Sequence, residues 1–364
     1  MTRSILALSA ALLLVGPVSR PAPSPAKAPA GRGTVESLSA GADVRLTGAG
    51  ATFPAPIYKQ WFNRYAAQTG VQINYQAIGS GGGIRQLTEH TVDFGASDAP
   101  MSDEEMSKVP EGVLHFPTVI GAVAVTYNLP GTDASLRFTP DVLADIFLGK
   151  ITKWNDPRIA GINAGVKLPS TDILVAHRSD GSGTTFIFTD YLSRVSRSWK
   201  NGPGNGKDVQ WPVGLGGKGN EGVAGIVKQT PGAIGYVELA YAKQNHLPVG
   251  QLKNRAGNYV KPSLEGATAA AAGVAQSLPA TTDFRIAIVN APGADAYPIS
   301  SFTWLLVYKT MPDGAKAKEL TRFITWALKD GEKMVESLDY APLPPNMVAL
   351  EMKQLQKVEY PGKM

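Results

Sequence analysis

Three times in this chain a β-type run ends in a cluster of glycine and hydroxyl residues that leads straight into a helical pattern. The run at 44–48 passes into Gly48-Ala49-Gly50-Ala51-Thr52-Phe53-Pro54, where Pro54 or Pro56 suits a first helical turn. VQINYQAIG passes into Gly79-Ser80-Gly81-Gly82-Gly83 and then IRQLTEH. ILVAHRS passes into Asp180-Gly181-Ser182-Gly183-Thr184-Thr185 and then FIFTDYLSRV. Strands alternating with helices in this way predict βαβ units, and so an α/β fold of mainly parallel sheets flanked by helices. In such sheets ligands bind at the turns that follow the strands. The free N–H groups and dipole of a helix start favour an anion, and glycine lets the backbone come close. Any one cluster is more simply a helix cap; three in one chain carry more weight.

The rest of the chain continues the alternation. The run at 115–128 (HFPTVIGAVAVTYN) is a long apolar stretch suited to a buried strand pair or to a crossover between lobes. A second α/β set follows, from TPDVLADIFLG to AIGYVELAYA. Residues 266–282 are alanine-rich and predict a surface helix, 299–309 predicts a buried strand, and 315–338 predicts a pair of amphipathic helices. No fixed-period repeat is present, and 364 residues suffice for two domains.

Composition narrows the function. Cysteine is absent, which removes disulfide scaffolds, thiolate metal sites, iron–sulfur clusters and cysteine nucleophiles. Arg3 precedes an apolar stretch, Ile5 to Val15, with a Pro/Ala-rich flank: the pattern of a secretory signal, too short for a membrane span. We read 1–30 as a signal peptide and 31–42 as a flexible linker. Removing 1–30 takes Arg3, Arg20 and Lys27 and no acid, so the net charge falls from +5 to 5 − 3 = +2. Without cysteine a lipoprotein anchor is not expected, and the predicted location is the periplasm. No run of five or six Lys/Arg exists, so no nucleic-acid partner is expected.

Catalytic motifs fail in turn. GxxxxGK[ST] is absent, and GxGxxG matches only at Gly214, Gly216 and Gly219, where WPV is too short to be the leading strand; that stretch reads as a flexible loop. GxSxG fails around Ser80, Ser97 and Ser182. His90, His115, His177 and His246 show no metal-ligand spacing. The expectation is a protein that is not an enzyme, with no cofactor and no metal.

Two charged residues are more suggestive. Arg178, just ahead of the third cluster, can offer a tetrahedral oxyanion a bidentate pair of donors, although a surface ion pair fits its spacing as well. Asp98, in DFGASDAP, is out of place beside an anion unless that anion carries a proton for which Asp98 is the acceptor; an Asx-turn is the plainer reading.

At this point longer motifs can be read together. LTGAGATFPAPIY (46–58), GSGGG (79–83), VDFGASDAPMSDEE (92–105), LGKITKWNDPRIA (148–160), RSDGSGTTFIFTDYL (178–192) and WPVGLGGKGNEGVAG (211–225) closely resemble the periplasmic phosphate-binding proteins of bacterial phosphate ABC transporters. PGAIGYVELAYAKQN (231–245) and SLDYAPLP (337–344) fit too. The resemblance implies a two-lobed type II venus-flytrap fold, lobe I at 43–125 and 299–364 and lobe II at 126–298. It implies inorganic phosphate in the cleft, bound by Thr52, Phe53, Ser80, Asp98, Arg178, Ser182, Gly183 and Thr184, with Asp180 supporting the Arg178 guanidinium. Asp98 takes the role of acceptor for the phosphate proton. The chain departs from the family at Gly81, where a second serine is common; the binding serine corresponds to Ser80. The implied partners are the permease subunits of an ABC importer, and the protein is expected to be a monomer. The rivals are a secreted phosphatase built on the same site and a phosphate scavenger retained outside the cell.

Overall fold

The alternation of β-type and helical runs plays out first as β1 (Arg45–Gly50), α1 (Ala55–Thr69), β2 (Gln72–Ala77), α2 (Ser80–Thr88), β3 (Phe94–Ser97) and α3 (Asp103–Ser107). A long strand, β4 (Val113–Tyr127), follows. Then come β5 (Arg137–Phe138), α4 (Pro140–Phe147), α5 (Pro157–Ile162), β6 (Leu174–Arg178), α6 (Gly183–Val195), α7 (Arg197–Asn201), β7 (Leu215–Gly217) and α8 (Gly219–Gln229). They lead to β8 (Ala233–Glu238), α9 (Leu239–Gln244), β9 (Gln251–Lys253), β10 (Tyr259–Val260) and α10 (Leu264–Ala275). The chain returns through β11 (Ser300–Tyr308), α11 (Gly314–Ala327) and α12 (Pro345–Leu355). This computed structural model describes residues 44–132 and 134–363, so the signal peptide read at 1–30 and the linker at 31–42 lie outside the described residues. The described residues belong to one compact unit, Ser39–Met364. Among them no helix is long and apolar enough to cross a membrane.

The main sheet runs β2-β1-β3-β11-β4-β8-β6-β7, and a small sheet runs β10-β9-β5. β1 is parallel to β2 and β3, and β6 is parallel to β8 and β7, so the strand–turn–helix units sit on parallel strands as the sequence predicts. The middle is antiparallel. β4 pairs with β11 through Ala122 and with β8 from Val123 onward, so one strand serves both halves of the sheet. Buried along almost its whole length, it reads as a continuous apolar run, as does the fully buried β11. The stretch at 115–128 is therefore a crossover and not a strand pair.

Three local expectations are corrected. The alanine-rich surface helix stops at Ala275, short of 282: Thr268, Ala272 and Gly273 are exposed, while Ala267, Ala270 and Ala271 are buried and let α10 lie close against β4 and β11. The helix pair at 315–338 is one helix, α11, followed by two 3₁₀ turns. Trp61 Nε1 donates to Gly331 O at 2.9 Å, tying that turn to α1 instead of letting a second helix form. The glycine stretch from 214 is a short edge strand, β7, that pairs with β6, and then a helix, α8, that starts at Gly219. The strand lies inside the GxGxxG match, not ahead of it.

Candidate functional site

Each of the three sequence clusters opens a helix at the C-terminal end of a parallel strand. Gly50 of β1 pairs with Ala77 of β2 and with Ala96 of β3, so these strands end in step. Thr52 and Phe53 after β1, Ser80 after β2 and Asp98 after β3 therefore gather at one end of that half-sheet. In the other half β6 ends at Arg178, opposite Gly217 of β7, which brings together Asp180 and the starts of α6 and α8.

The two groups meet. Gly81 N donates to Gly181 O at 2.9 Å, joining the second turn to the third. Gly183 sits so close to Asp98 and Ser80 that a Cβ there would lie 2.6 Å from Asp98 Oδ2. A Cβ on Gly81 would stand 3.1 Å from Gly181 Cα, so the missing serine is matched to tight spacing between the turns.

Arg178 is only 3% exposed. Its Nε and Nη2 donate to Asp180 Oδ1 and Oδ2 at 2.7 and 2.5 Å, a fork-to-fork pair. Nη1 reaches Thr184 Oγ1 at 3.4 Å. Asp180 Oδ1 also accepts from Gly219 N at 3.0 Å. Burial on its own would raise the Asp180 carboxyl; the hydrogen bonds and charge of Arg178, with Gly219 N–H, outweigh it and hold it below the usual range. The ion pair is thus locked with guanidinium N–H groups still to spend. Tyr236 OH accepts from Arg178 N at 3.2 Å and lies 2.6 Å from Thr185 Oγ1, which fixes the strand end against α6.

Asp98 is 1% exposed, with Oδ1 accepting from Thr303 Oγ1 at 2.7 Å and its backbone N–H donating to Ser80 Oγ at 3.1 Å. Burial pushes its carboxyl from 3.8 up to about 7, against the opposing pull of Thr303, Arg178 and Ser80. Thr303 lies opposite Asp98 as the direct continuation of the β11–β3 register, in which Trp304 pairs with Ser97. The β11–β4 register shifts between Thr303 and Trp304, leaving Thr118 as the extra residue, and Thr118 Oγ1 donates to Thr303 O at 3.2 Å.

Ser182 caps α6: its Oγ accepts from Thr185 N at 3.0 Å while its own N–H donates to Lys207 O at 2.8 Å. What Ser182 retains is its hydroxyl hydrogen. Gly183 and Thr184 carry the N–H groups of a first helical turn, which have no intrahelical partner. The Phe53 ring is fully buried beside Tyr340, and Phe53 O accepts from Tyr340 OH at 2.6 Å, so only its main chain can serve a ligand. Thr52 Oγ1 accepts from Asn220 Nδ2 at 2.8 Å, and the same nitrogen reaches Thr184 Oγ1 at 3.2 Å.

All nine residues singled out in the sequence therefore cluster around one point. Sequence reasoning missed Asn220, Thr303, Gly219 and Tyr236. Asn220 stood in a glycine run read as a loop, and its place right after β7 gave no signal, because that strand is only three residues long. Thr303 carried none, being a hydroxyl within an apolar strand. Of the histidines, His115 is buried and its Nε2 accepts from Met101 N at 3.0 Å, a structural role; burial pushes it down to about 4. Among the described residues no group of acidic and histidine side chains could hold a metal ion.

What results is a buried cluster rich in hydrogen-bond donors around one carboxyl group, in a two-lobed α/β fold of the periplasmic-binding type. Residues 28–330 match the sequence model of the PBP superfamily domain. In fold, the chain is similar to a high-affinity periplasmic phosphate-binding protein solved with phosphate, with a TM-score of 0.66 at 19% identity over 88% of this chain and 100% of that one. It is similar also to a phosphate-binding protein from Stenotrophomonas maltophilia, with a TM-score of 0.65 at 19% identity over 85% of this chain and 93% of that one. In sequence it is 49% identical to the phosphate-binding protein PstS of Xylella fastidiosa, over 84% of this chain and 83% of the relative. Against PstS of Pasteurella multocida the identity is 47%, over 83% and 87% of the two chains. Against PstS of Methanocaldococcus jannaschii it is 40%, over 87% and 86%. The chain belongs to the PBP superfamily and, within it, to the family of PstS phosphate-binding proteins.

Proposed function

We propose that this protein captures one inorganic phosphate ion between its lobes and delivers it to the permease of an ABC-type phosphate importer. The observation that carries this reading is Asp98: a buried carboxylate set among donors. Arg178, the hydroxyls of Thr52, Ser80, Ser182 and Thr184, and the backbone N–H groups of Phe53, Gly183 and Thr184 all suit an oxyanion. One acceptor in such a ring suits an oxyanion that keeps a proton. Sulfate, which has none to offer near neutral pH, would meet Asp98 as a like charge and an unpaired acceptor. Asp180 supports the site by holding the Arg178 guanidinium. The names of the relatives, all phosphate-binding proteins, point the same way.

In this reading lobe I is 43–125 with 299–364, lobe II is 126–298, and the hinge lies where β4 and the approach to β11 pass between them. The output is the loaded, closed form and not a reaction. The protein is exported by its N-terminal segment and works as a monomer. The test is calorimetric titration of protein stripped of ligand by unfolding and refolding. Tight one-to-one phosphate binding with little response to sulfate is the expected result. No phosphate response from folded, stripped protein would overturn the reading.

A further inference from the structure

Asn220, at the start of α8, is fully buried and spends every polar atom of its side chain. Glu238 N donates to its Oδ1 at 2.9 Å; a backbone N–H must face an acceptor, so the amide can point only one way. Its Nδ2 then donates to Thr52 Oγ1 at 2.8 Å and to Thr184 Oγ1 at 3.2 Å, one hydrogen for each. Asn220 N also donates to Thr52 Oγ1, at 3.2 Å, and Arg178 Nη1 to Thr184 Oγ1, at 3.4 Å.

A threonine hydroxyl has two lone pairs and one hydrogen. Both lone pairs of each hydroxyl are thus taken by protein donors, and all each hydroxyl can still do is donate. Neither has an acceptor for its hydrogen among the described residues, although Thr52 is 2% and Thr184 0% exposed. Two buried O–H donors without an acceptor call for an acceptor-rich ligand.

We infer that Asn220 is a positioning residue that holds Thr52 and Thr184 as obligate donors to the bound anion. This rests on the phosphate reading above and extends it. Thr52 follows β1 while Thr184 and Asn220 follow β6 and β7, so Thr184 is held within one half and the lock on Thr52 exists only when the two halves of the site meet. Asn220 therefore couples closure to donor polarity: with the halves apart, Thr52 can turn its hydrogen anywhere.

The test is a double-mutant cycle by calorimetry with inorganic phosphate. Asn220→Ala should weaken binding by about tenfold for each hydroxyl released. In a Thr52→Val/Thr184→Val background the same change should cost less than threefold, because the groups it positions are gone. Asn220→Asp keeps the shape and the acceptor for Glu238 N but offers the threonines oxygen in place of N–H. Their hydrogens then turn to it, and the loss should be at least as large as with alanine. That variant keeps the test open if the alanine protein does not fold. Additive losses in the cycle, or wild-type affinity in Asn220→Asp, would overturn the inference while the wild-type isotherm still upholds phosphate binding. A wild type that binds no phosphate overturns both.

Discussion

Exchanging Asp98 for asparagine replaces one acceptor oxygen by an NH₂ group, and the structure decides which one. Thr303 Oγ1 donates to Oδ1 at 2.7 Å, so the amide oxygen of Asp98→Asn stays there and the NH₂ takes the place of Oδ2, beside Ser80 and Gly183. In the proposed binding mode, the side that faces the anion as an acceptor becomes a donor. Phosphate loses a hydrogen bond to a charged acceptor, about 1.5–3 kcal/mol. Sulfate loses a like-charge contact and gains a bond of the same kind, again about 1.5–3 kcal/mol. The preference for phosphate should therefore narrow by about 3–6 kcal/mol, or roughly 10²- to 10⁴-fold. Titrating both proteins with phosphate and with sulfate at one pH gives the two ratios directly. A ratio unchanged within about threefold would refute the reasoning and remove Asp98 from this role.

Other perturbations follow from the same contacts. Arg178→Ala removes the buried donor and leaves Asp180 without its fork, so phosphate binding should weaken by about 2–5 kcal/mol; a calorimetric loss within ~0.5 kcal/mol, typical of a surface change, would contradict it. Gly183→Ala places a Cβ 2.6 Å from Asp98 Oδ2, which pushes the second and third turns apart. Phosphate titration should then find binding lost while circular dichroism finds the fold kept; near-normal affinity would mean the turns can give. Glu351 is fully buried with neither carboxyl oxygen partnered, and burial, then the neighbouring Glu332, raises its carboxyl well above the usual range. Burial likewise pushes Glu332 up to about 8. Folded values above the unfolded ones give stability that is full below about pH 4.5 and is lost as pH rises through the folded values. Thermal unfolding should therefore show the wild type losing stability from about pH 5 to pH 8, with Glu351→Gln flatter and more stable by at least about 1.4 kcal/mol at pH 8, the worth of one unit. Parallel curves for the two proteins would refute this.

Much of the site was legible because its signals are local. A helix start announces itself in the few residues around it: Pro54 at the cap and Pro56 in the first turn of α1, the Ser182 cap of α6, Gly79 at the cap of α2. Arg178 and Asp180 lie two apart and pair with each other, so their chemistry could be read from neighbours in the chain. Other features resisted. The stretch at 214–222 looked like a loop because an edge strand of three residues has almost no pattern of its own and forms by pairing with β6. The second helix expected near 331–338 lost to contacts made from α1, some 270 residues earlier in the chain.

By itself the sequence determined the α/β class, the three helix starts and the kind of group each presents, since backbone propensity, capping and charge act over a few residues. Only the tertiary structure decided that the three turns converge, because convergence depends on strand order: β1, β2 and β3 ending in step and β4 serving both halves of the sheet. It decided too that Thr303 faces Asp98, which turns on the antiparallel register of β11 against β3. And it decided that Asn220, 168 positions from Thr52, sets the direction of that hydroxyl. A hydrogen bond is defined by which lone pair is already taken, and that is settled only once distant segments are packed against one another.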